Sequence, residues 1–331
     1  MHPRQAAVDR VVRSTQHALR HHPDPGPALD RLGERLLDLA ERWDLDLGEA
    51  YDEGLGGLVL SVRSGSRPAV LKVDAATPAF RAQVATLVAA QGRGYAAVLA
   101  SDVPLGAVLL ERLGPSLACA GLPPGRQVAH LLGPVQRTWE LAAEVVPQGP
   151  PAHLPGGGKA EQLAGILRTL PARVLSPGQR RRWAPALEEA GGLAARLAAT
   201  RDPAREVLCH GDPHPGNALL APGAPAGSPA YKLVDPDGLV TEREYDLGVV
   251  LRDFSRELLA APSREAALDL HGSWCRQAAS ATGTEAERVR QWSFVERVTT
   301  GLYLQWFHDD DTAASFLDSA LLLSGGEPDP G

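Results

Sequence analysis

Apolar positions change period several times along the chain, and each change predicts an element. Leu29, Leu32, Leu36, Leu39 and Trp43 recur three or four apart, the spacing of one face of an amphipathic helix. Before them, Arg4 to about Arg20 reads as a polar helix ended by Pro23–Pro27. Over residues 45–74 the period falls toward two: the loop DEGLGG is followed by LVLSV, the turn RSGSRP and AVLKVD, an antiparallel hairpin unit. A helix over Pro78 to about Ala90 and strands at Tyr95–Ser101 and Ala107–Leu110 come next. Beyond 115 the helical period returns. Val128, Leu131, Leu132, Val135, Trp139 and Ala142 fit one helix face, and two more helices are expected over 159–170 and 178–199, after the Pro/Gly-rich loop 147–158. Trp292, Val295, Thr299, Leu302 and Trp306 form a further core-facing stripe.

The stretch from Val207 to Asp246 breaks this regularity. Apolar runs at Val207–Cys209 and Ala218–Leu220 flank HGDPHPGN, a loop too dense in Gly, Pro, Asp and Asn for a helix. The run Tyr231–Val234 then delivers Asp235 and a Pro-Asp-Gly turn, with APGAPAGSP as a loose hairpin tip between. Three strand ends therefore aim Asp212, Asn217 and Asp235 at one point. That set suits phosphoryl transfer, with one carboxylate for an acceptor hydroxyl and an amide and a carboxylate for Mg²⁺. Two other readings stand beside it. His210, Asp212 and His214 have ligand types for a transition metal, although this leaves Asn217 and Asp235 without a role. Taken singly, each polar residue would do no more than satisfy turn backbone.

HGDPHPGN, followed by KLVDPDG and YDLG, resembles the aminoglycoside phosphotransferase family of protein-kinase-like small-molecule kinases. Its nearest branch is that of streptomycin 6-kinases and aminoglycoside and hydroxyurea resistance kinases. The resemblance is strong over 207–250, moderate over 54–113 and weak before 45 and after 255; Pro213 stands where the family more often has Leu. It implies an α+β, bilobal protein-kinase-like fold. Residues 1–113 would form an N-terminal lobe of leading helices and an antiparallel sheet, and 114–331 a mainly helical C-terminal lobe.

The resemblance also implies ATP and Mg²⁺. Gly54, Gly56 and Gly57 would let backbone N–H groups approach phosphates. Lys72 would grip the α and β phosphates, and backbone near Glu111 to Leu113, in LLERLG, would meet the adenine edge. Asn217 and Asp235 would hold the metal, Asp212 would take the hydroxyl proton, and Asp246 would cap a helix or brace the loop. Asp309 and Asp310, in FHDDD, would neutralise a cationic substrate, or else form only a solvated helix terminus. One position departs from the pattern. A glutamate on the helix after Lys72 usually pairs with it, yet PAFRAQVATLVAA has no acidic residue and offers Gln83 there. A glutamine loses the charge-assisted part of that bond, so either a carboxylate from elsewhere substitutes or Lys72 is held more loosely.

Composition narrows the field further. A net charge of −7 disfavours nucleic acid or an anionic membrane as partner, and QRRRW at 179–183 has no aromatic-interleaved basic surface around it. Only Lys72, Lys159 and Lys232 stand among 33 basic residues, which singles out Lys72. Cys119, Cys209 and Cys275 are too few and too scattered for a disulfide framework or a zinc site. No signal-like or membrane-spanning run is present, so a cytoplasmic location is expected. Oligomeric state stays open, with a monomer favoured. The chain is thus expected to be an ATP- and Mg²⁺-dependent phosphotransferase acting on a hydroxyl of a small cationic molecule, an aminoglycoside of the streptomycin type. A kinase of another small alcohol or amino sugar, and a nucleotide-binding protein that has lost catalysis, remain as alternatives.

Overall fold

A computed structural model describes residues 3–18, 31–51, 57–146, 158–224 and 230–324. Helices α1 (Pro3–Ala18) and α2 (Leu32–Arg42) precede a five-stranded antiparallel sheet of β1 (Leu45–Ala50), β2 (Leu58–Ser64), β3 (Arg67–Val73), β4 (Val98–Asp102) and β5 (Ala107–Glu111), in the order β1-β2-β3-β5-β4. Helix α3 (Pro78–Ala90) lies between β3 and β4 in the chain; Thr77 caps it by accepting from the Phe80 N–H, and Pro78 opens its first turn.

Strand alternation sorts the sheet's side chains onto two cores. Ala69, Leu71 and Val73 of β3, with Ala107 and Leu109 of β5, pack with Val8, Val11, Leu36 and Leu39 of the leading helices. Val108 and Leu110 of β5 point the other way, joining Phe80, Val84 and Leu87 of α3 in the main core. Lys72 lies between Leu71 and Val73, so the pleat turns it away from the leading helices. In α2, Leu32, Leu36, Leu39 and Ala40 are buried at the expected helical spacing.

The remainder is mostly helical: α4 (Pro124–Trp139), α5 (Lys159–Thr169), α6 (Ala184–Ala199), α7 (Arg243–Arg252), α8 (Arg264–Thr282), α9 (Ala286–Trp306) and α10 (Asp310–Ser324), with shorter helices at Pro171–Val174, Pro177–Arg182 and Ser255–Leu259. The helix expected over 178–199 is two pieces. Ser176 and Gln179 form a capping box for Pro177–Arg182, Trp183 leaves helical geometry, and Pro185 starts α6. The strand expected from Tyr95 begins only at Val98; Tyr95 instead makes a parallel bridge to Leu233, which ties the sheet region to the helical part. Among the described residues no helix is long and apolar enough to cross a membrane.

Two small ribbons interrupt the helices. Strands β6 (Glu206–Cys209) and β9 (Leu239–Glu242) pair antiparallel, and β7 (Ala218–Leu220) pairs antiparallel with β8 (Tyr231–Leu233). Because β7 and β8 lie between β6 and β9 in the chain, the ribbons nest. The loop 210–217 and the turn 234–238 are thereby brought face to face.

Candidate active site

Backbone bonds fix the two facing loops. The Val234 N–H donates to Asn217 O at 2.9 Å and the Asp237 N–H to His210 O at 2.7 Å. His210 is fully buried; its Nδ1 accepts from the Asp212 N–H at 3.1 Å, which leaves Nε2 to donate to Val234 O at 2.9 Å. Burial lowers its pKa to about 4, keeping the ring neutral. Its ring stacks on Tyr95 at 5.6 Å. Both nitrogens are therefore engaged within the chain, and the His-Asp-His metal reading lacks its first ligand.

These loops place the three residues expected to act together. Asn217 Nδ2 donates to Asp212 O at 2.9 Å and to Asp212 Oδ2 at 3.3 Å. That turns the Asn217 Oδ1 outward, without a hydrogen-bond partner among the described residues. Asp235 follows Val234 directly and adopts φ 54°, a left-handed conformation that aspartate tolerates better than most residues. Its carboxylate accepts from Lys72 Nζ at 2.9 Å and is 41% exposed, so at least one oxygen remains open. An amide oxygen and a carboxylate on adjoining strand ends are hard donors of the kind Mg²⁺ takes, with water completing its shell.

Lys72 thus has a carboxylate partner from the turn after β8, and Gln83 is not that partner. Gln83 Nε2 lies 3.5 Å from Pro236 O, and its Oε1 is buried without a partner among the described residues. Gly238, at φ 62°, fits against the same helix: an added Cβ would come within 2.6 Å of Thr86 Oγ1. Helix α3 therefore holds the turn carrying Asp235. The loop expected to cradle phosphates is described only at Gly57, where φ is 130°; Gly54 and Gly56 lie outside the described residues.

Around Asp212 stand Arg252, Asp253 and Glu296, which the sequence motifs do not mark, and His214, which they do. Arg252, the last residue of α7, donates through Nη2 to Asp212 Oδ1, through Nη1 to Glu296 at 3.0 Å and through Nε to Asp253 at 3.3 Å. His214 lies 3.6 Å from Asp212 Oδ2 and 3.3 Å from Asp253 Oδ2. Burial would raise the Asp212 pKa, but Arg252 foremost, then His214, hold it down to about 2. Burial opposes charge on His214 also, yet Asp253 and Asp212 leave its pKa raised. A signal for Arg252 did exist: an arginine-aspartate pair closes the apolar run after Tyr245-Asp246.

Beneath the loop, Asp246 is completely buried and accepts from the His210 N–H at 3.0 Å, the Gly211 N–H at 2.9 Å and Trp139 Nε1 at 2.9 Å. Burial raises its carboxyl to about 6 against these donors. It braces the loop, one of its two expected roles. Glu111 accepts from Lys232 Nζ and from the Ala97 N–H, so its side chain ties β5 to β8. Leu113 is half-buried; the next residue, Gly114, donates its N–H to Leu220 O at 2.8 Å. The third lysine, Lys159, stands 5.0 Å over the Tyr245 ring, whose hydroxyl donates to Gly211 O. Asp309 and Asp310 are exposed at the start of α10, where Asp309 Oδ1 accepts from the Thr312 N–H at 3.3 Å.

Comparison with known proteins shows the family and the fold. Residues 42–311 match the family model described as aminoglycoside/hydroxyurea antibiotic resistance kinase. A hydroxyurea phosphotransferase of Kitasatospora aureofaciens is 31% identical over 230 residues, 66% of this chain and 60% of that protein. A streptomycin 6-kinase of Streptomyces glaucescens is 31% identical over 228 residues, covering 66% of each chain. The match thus spans less than two thirds of either relative. An aminoglycoside phosphotransferase solved with AMP-PNP and hygromycin B superposes with a TM-score of 0.56 at 15% identity, over 87% of this chain and 98% of that one, which makes the fold protein-kinase-like. From the match over most of its length, the chain belongs to the aminoglycoside/hydroxyurea antibiotic resistance kinase family.

Proposed function

We propose that this protein transfers the γ-phosphoryl group of ATP, with Mg²⁺, to a hydroxyl of a small cationic molecule, an aminoglycoside of the streptomycin type. The observation that carries the reading is the nesting of the two ribbons, which sets Asp212, Asn217 and Asp235 on facing loops with Lys72 against them. Lys72 and the glycine loop hold the phosphates. Asn217 and Asp235 are the metal ligands, and the bound ion supplies neutralisation of phosphate charge. Asp212 orients the acceptor hydroxyl and takes its proton; with its pKa near 2 it stays ionised and acts by position, not by basicity.

We put the lobe boundary at Leu113, a reading supported by the backbone bonds that join Gly114 and Pro115 to Leu220 of β7. The backbone of Arg112 and Leu113 makes no such bond among the described residues, which suits contact with an adenine edge. The protein acts in the cytoplasm. Equal identity to a hydroxyurea phosphotransferase favours one second reading, in which a different small hydroxyl compound is the acceptor.

ATP consumption measured with a panel of aminoglycosides, amino sugars and hydroxyurea tests both. Asp212→Ala is expected to lower turnover about 10²–10⁴-fold while the protein stays folded by circular dichroism. Near-normal turnover would remove the assignment of the base, and nucleotide binding without transfer to any acceptor would leave a protein that has lost catalysis.

A further inference from the structure

Phosphoryl transfer as proposed above gives a part to both ends of the loop 212–217 and none to the polar side chain between them, His214. Pro213 and Pro215 bracket this residue, and its Nδ1 accepts from the Gly216 N–H at 3.2 Å. A Cβ added to Gly216 would come within 2.6 Å of His214 Cε1, so the ring lies against the glycine. The imidazole is thus held from within its own turn. With Nδ1 an acceptor, the ring proton stands on Nε2; a second proton would go to Nδ1, toward Asp253 Oδ2 at 3.3 Å, and leave the first in place. Nε2 lies 3.6 Å from Asp212 Oδ2, too far for a hydrogen bond. The side chains of His214 and Asp212 are 27% and 33% exposed, so this N–H has access to the cleft beside the carboxylate.

The two oxygens of Asp212 differ. Oδ1 takes the Arg252 guanidinium, whereas Oδ2 has Asn217 Nδ2 at 3.3 Å and, farther off, His214. Oδ2 is therefore the oxygen open to an acceptor hydroxyl. A phosphoryl group passing to that hydroxyl spreads its charge over three equatorial oxygens. On the nucleotide side that charge faces Lys72 and the metal ligands. On the acceptor side the guanidinium is already committed: its Nη2, Nη1 and Nε go to Asp212, Glu296 and Asp253. Next to Oδ2, the donor left is His214 Nε2.

We propose that His214 is a further catalytic residue, whose Nε2–H hydrogen-bonds a non-bridging oxygen of the phosphoryl group in transit. The assignment rests on the kinase reading. In the step, the acceptor oxygen bonds to phosphorus, the bond from phosphorus to the ADP oxygen breaks with its electron pair left on ADP, and the hydroxyl proton goes to Asp212 Oδ2. His214 gives up no proton. A donor fixed in place before the charge arrives needs no reorganisation when it does, and so lowers the barrier.

The test uses the full chain, ATP with Mg²⁺, and whichever member of the acceptor panel wild type phosphorylates fastest. His214→Asn keeps an oxygen near the Nδ1 position for the Gly216 N–H and removes the outer donor, whereas His214→Gln puts an amide N–H where Nε2 stands. His214→Asn should keep the wild-type KM for ATP and for acceptor and lose about 100-fold or more in kcat; His214→Gln should regain about tenfold of that loss. Binding gives a second readout. Aluminium fluoride added with ADP and Mg²⁺ mimics the phosphoryl group in transit, so it should tighten ADP binding less in His214→Asn than in wild type, while ADP alone binds both equally. A wild-type kcat or a change confined to KM in His214→Asn, a His214→Gln variant no faster than His214→Asn, or equal tightening by aluminium fluoride overturns the role of His214 and leaves the kinase reading standing. A wild type that binds nucleotide but phosphorylates no member of the panel overturns both.

Discussion

Asp246 holds the active loop although it touches nothing that reacts. Its two oxygens take two consecutive backbone N–H groups, of His210 and Gly211, and an indole N–H. In a dry interior each donor left unpaired costs about 1–3 kcal/mol. Asp246→Ala strands all three, so chemical denaturation should show a loss of several kcal/mol, and turnover should fall even where the variant is folded. Lys72 makes a different point at the same scale. The helix after β3 offers no carboxylate, and Asp235 takes the ammonium group instead. If Asp235 is also a metal ligand, as proposed, Lys72 turns to phosphate when nucleotide arrives. Gln83 then keeps the turn in place through Pro236.

At the scale of elements, α7 is the part on which the site is built. Eight of its ten residues, Glu244 to Leu251, are buried, so it has no solvent face at all and a hydrophobic stripe cannot describe it. It carries Asp246 under the loop and Arg252 beside it. The close approach to α9 depends on Gly248, where an added Cβ would meet Trp292 Cβ at 2.6 Å and the Ser293 backbone N at 2.8 Å. Gly248→Ala must push the two helices apart. The expected cost is about 1–3 kcal/mol in denaturant melts, with a fall in kcat because Arg252 no longer reaches Asp212. A stable, fully active variant would show that α7 can shift without moving the site.

For the whole molecule, two buried histidines weaken the fold in acid. His210 is held near pKa 4 by burial, and His271, which is 3% exposed and bonded to Ser293, near 3 by burial with Arg297 and Arg290. In the unfolded chain both titrate near 6.5. The sign follows: between those values the unfolded state binds more protons, so stability is complete above about pH 6.5 and declines as pH falls toward the folded values, by about 1.4 kcal/mol per pH unit for each histidine. Asp246, whose carboxyl is raised to about 6, contributes with the opposite sign below that pH, so the histidine share is read as a difference between variants in denaturation midpoints taken from pH 7.5 to 4.5. His271→Gln keeps a hydrogen-bonding group for Ser293 and removes one titration, so its slope should be shallower; an unchanged slope would place the acid sensitivity elsewhere.

By itself the sequence determined what is local. Alternation marked β2, β3 and β5, a 3.6-residue stripe marked α2 and α4, and the crowd of Gly, Pro, Asp and Asn at 210–217 and 235–238 marked two rigid turns with Asp212, Asn217 and Asp235 at their ends. Turn chemistry and side-chain period act over a few residues, which is why they were legible. Tertiary structure alone decided who meets whom: Arg252 with Asp212, Asp253 with His214, Asp235 with Lys72 across 163 positions. Those pairings arise from nesting one ribbon within another and from a helix buried on every side. A charged residue at the end of such a helix carries no periodic mark, since what selects it is the partner that folding brings alongside.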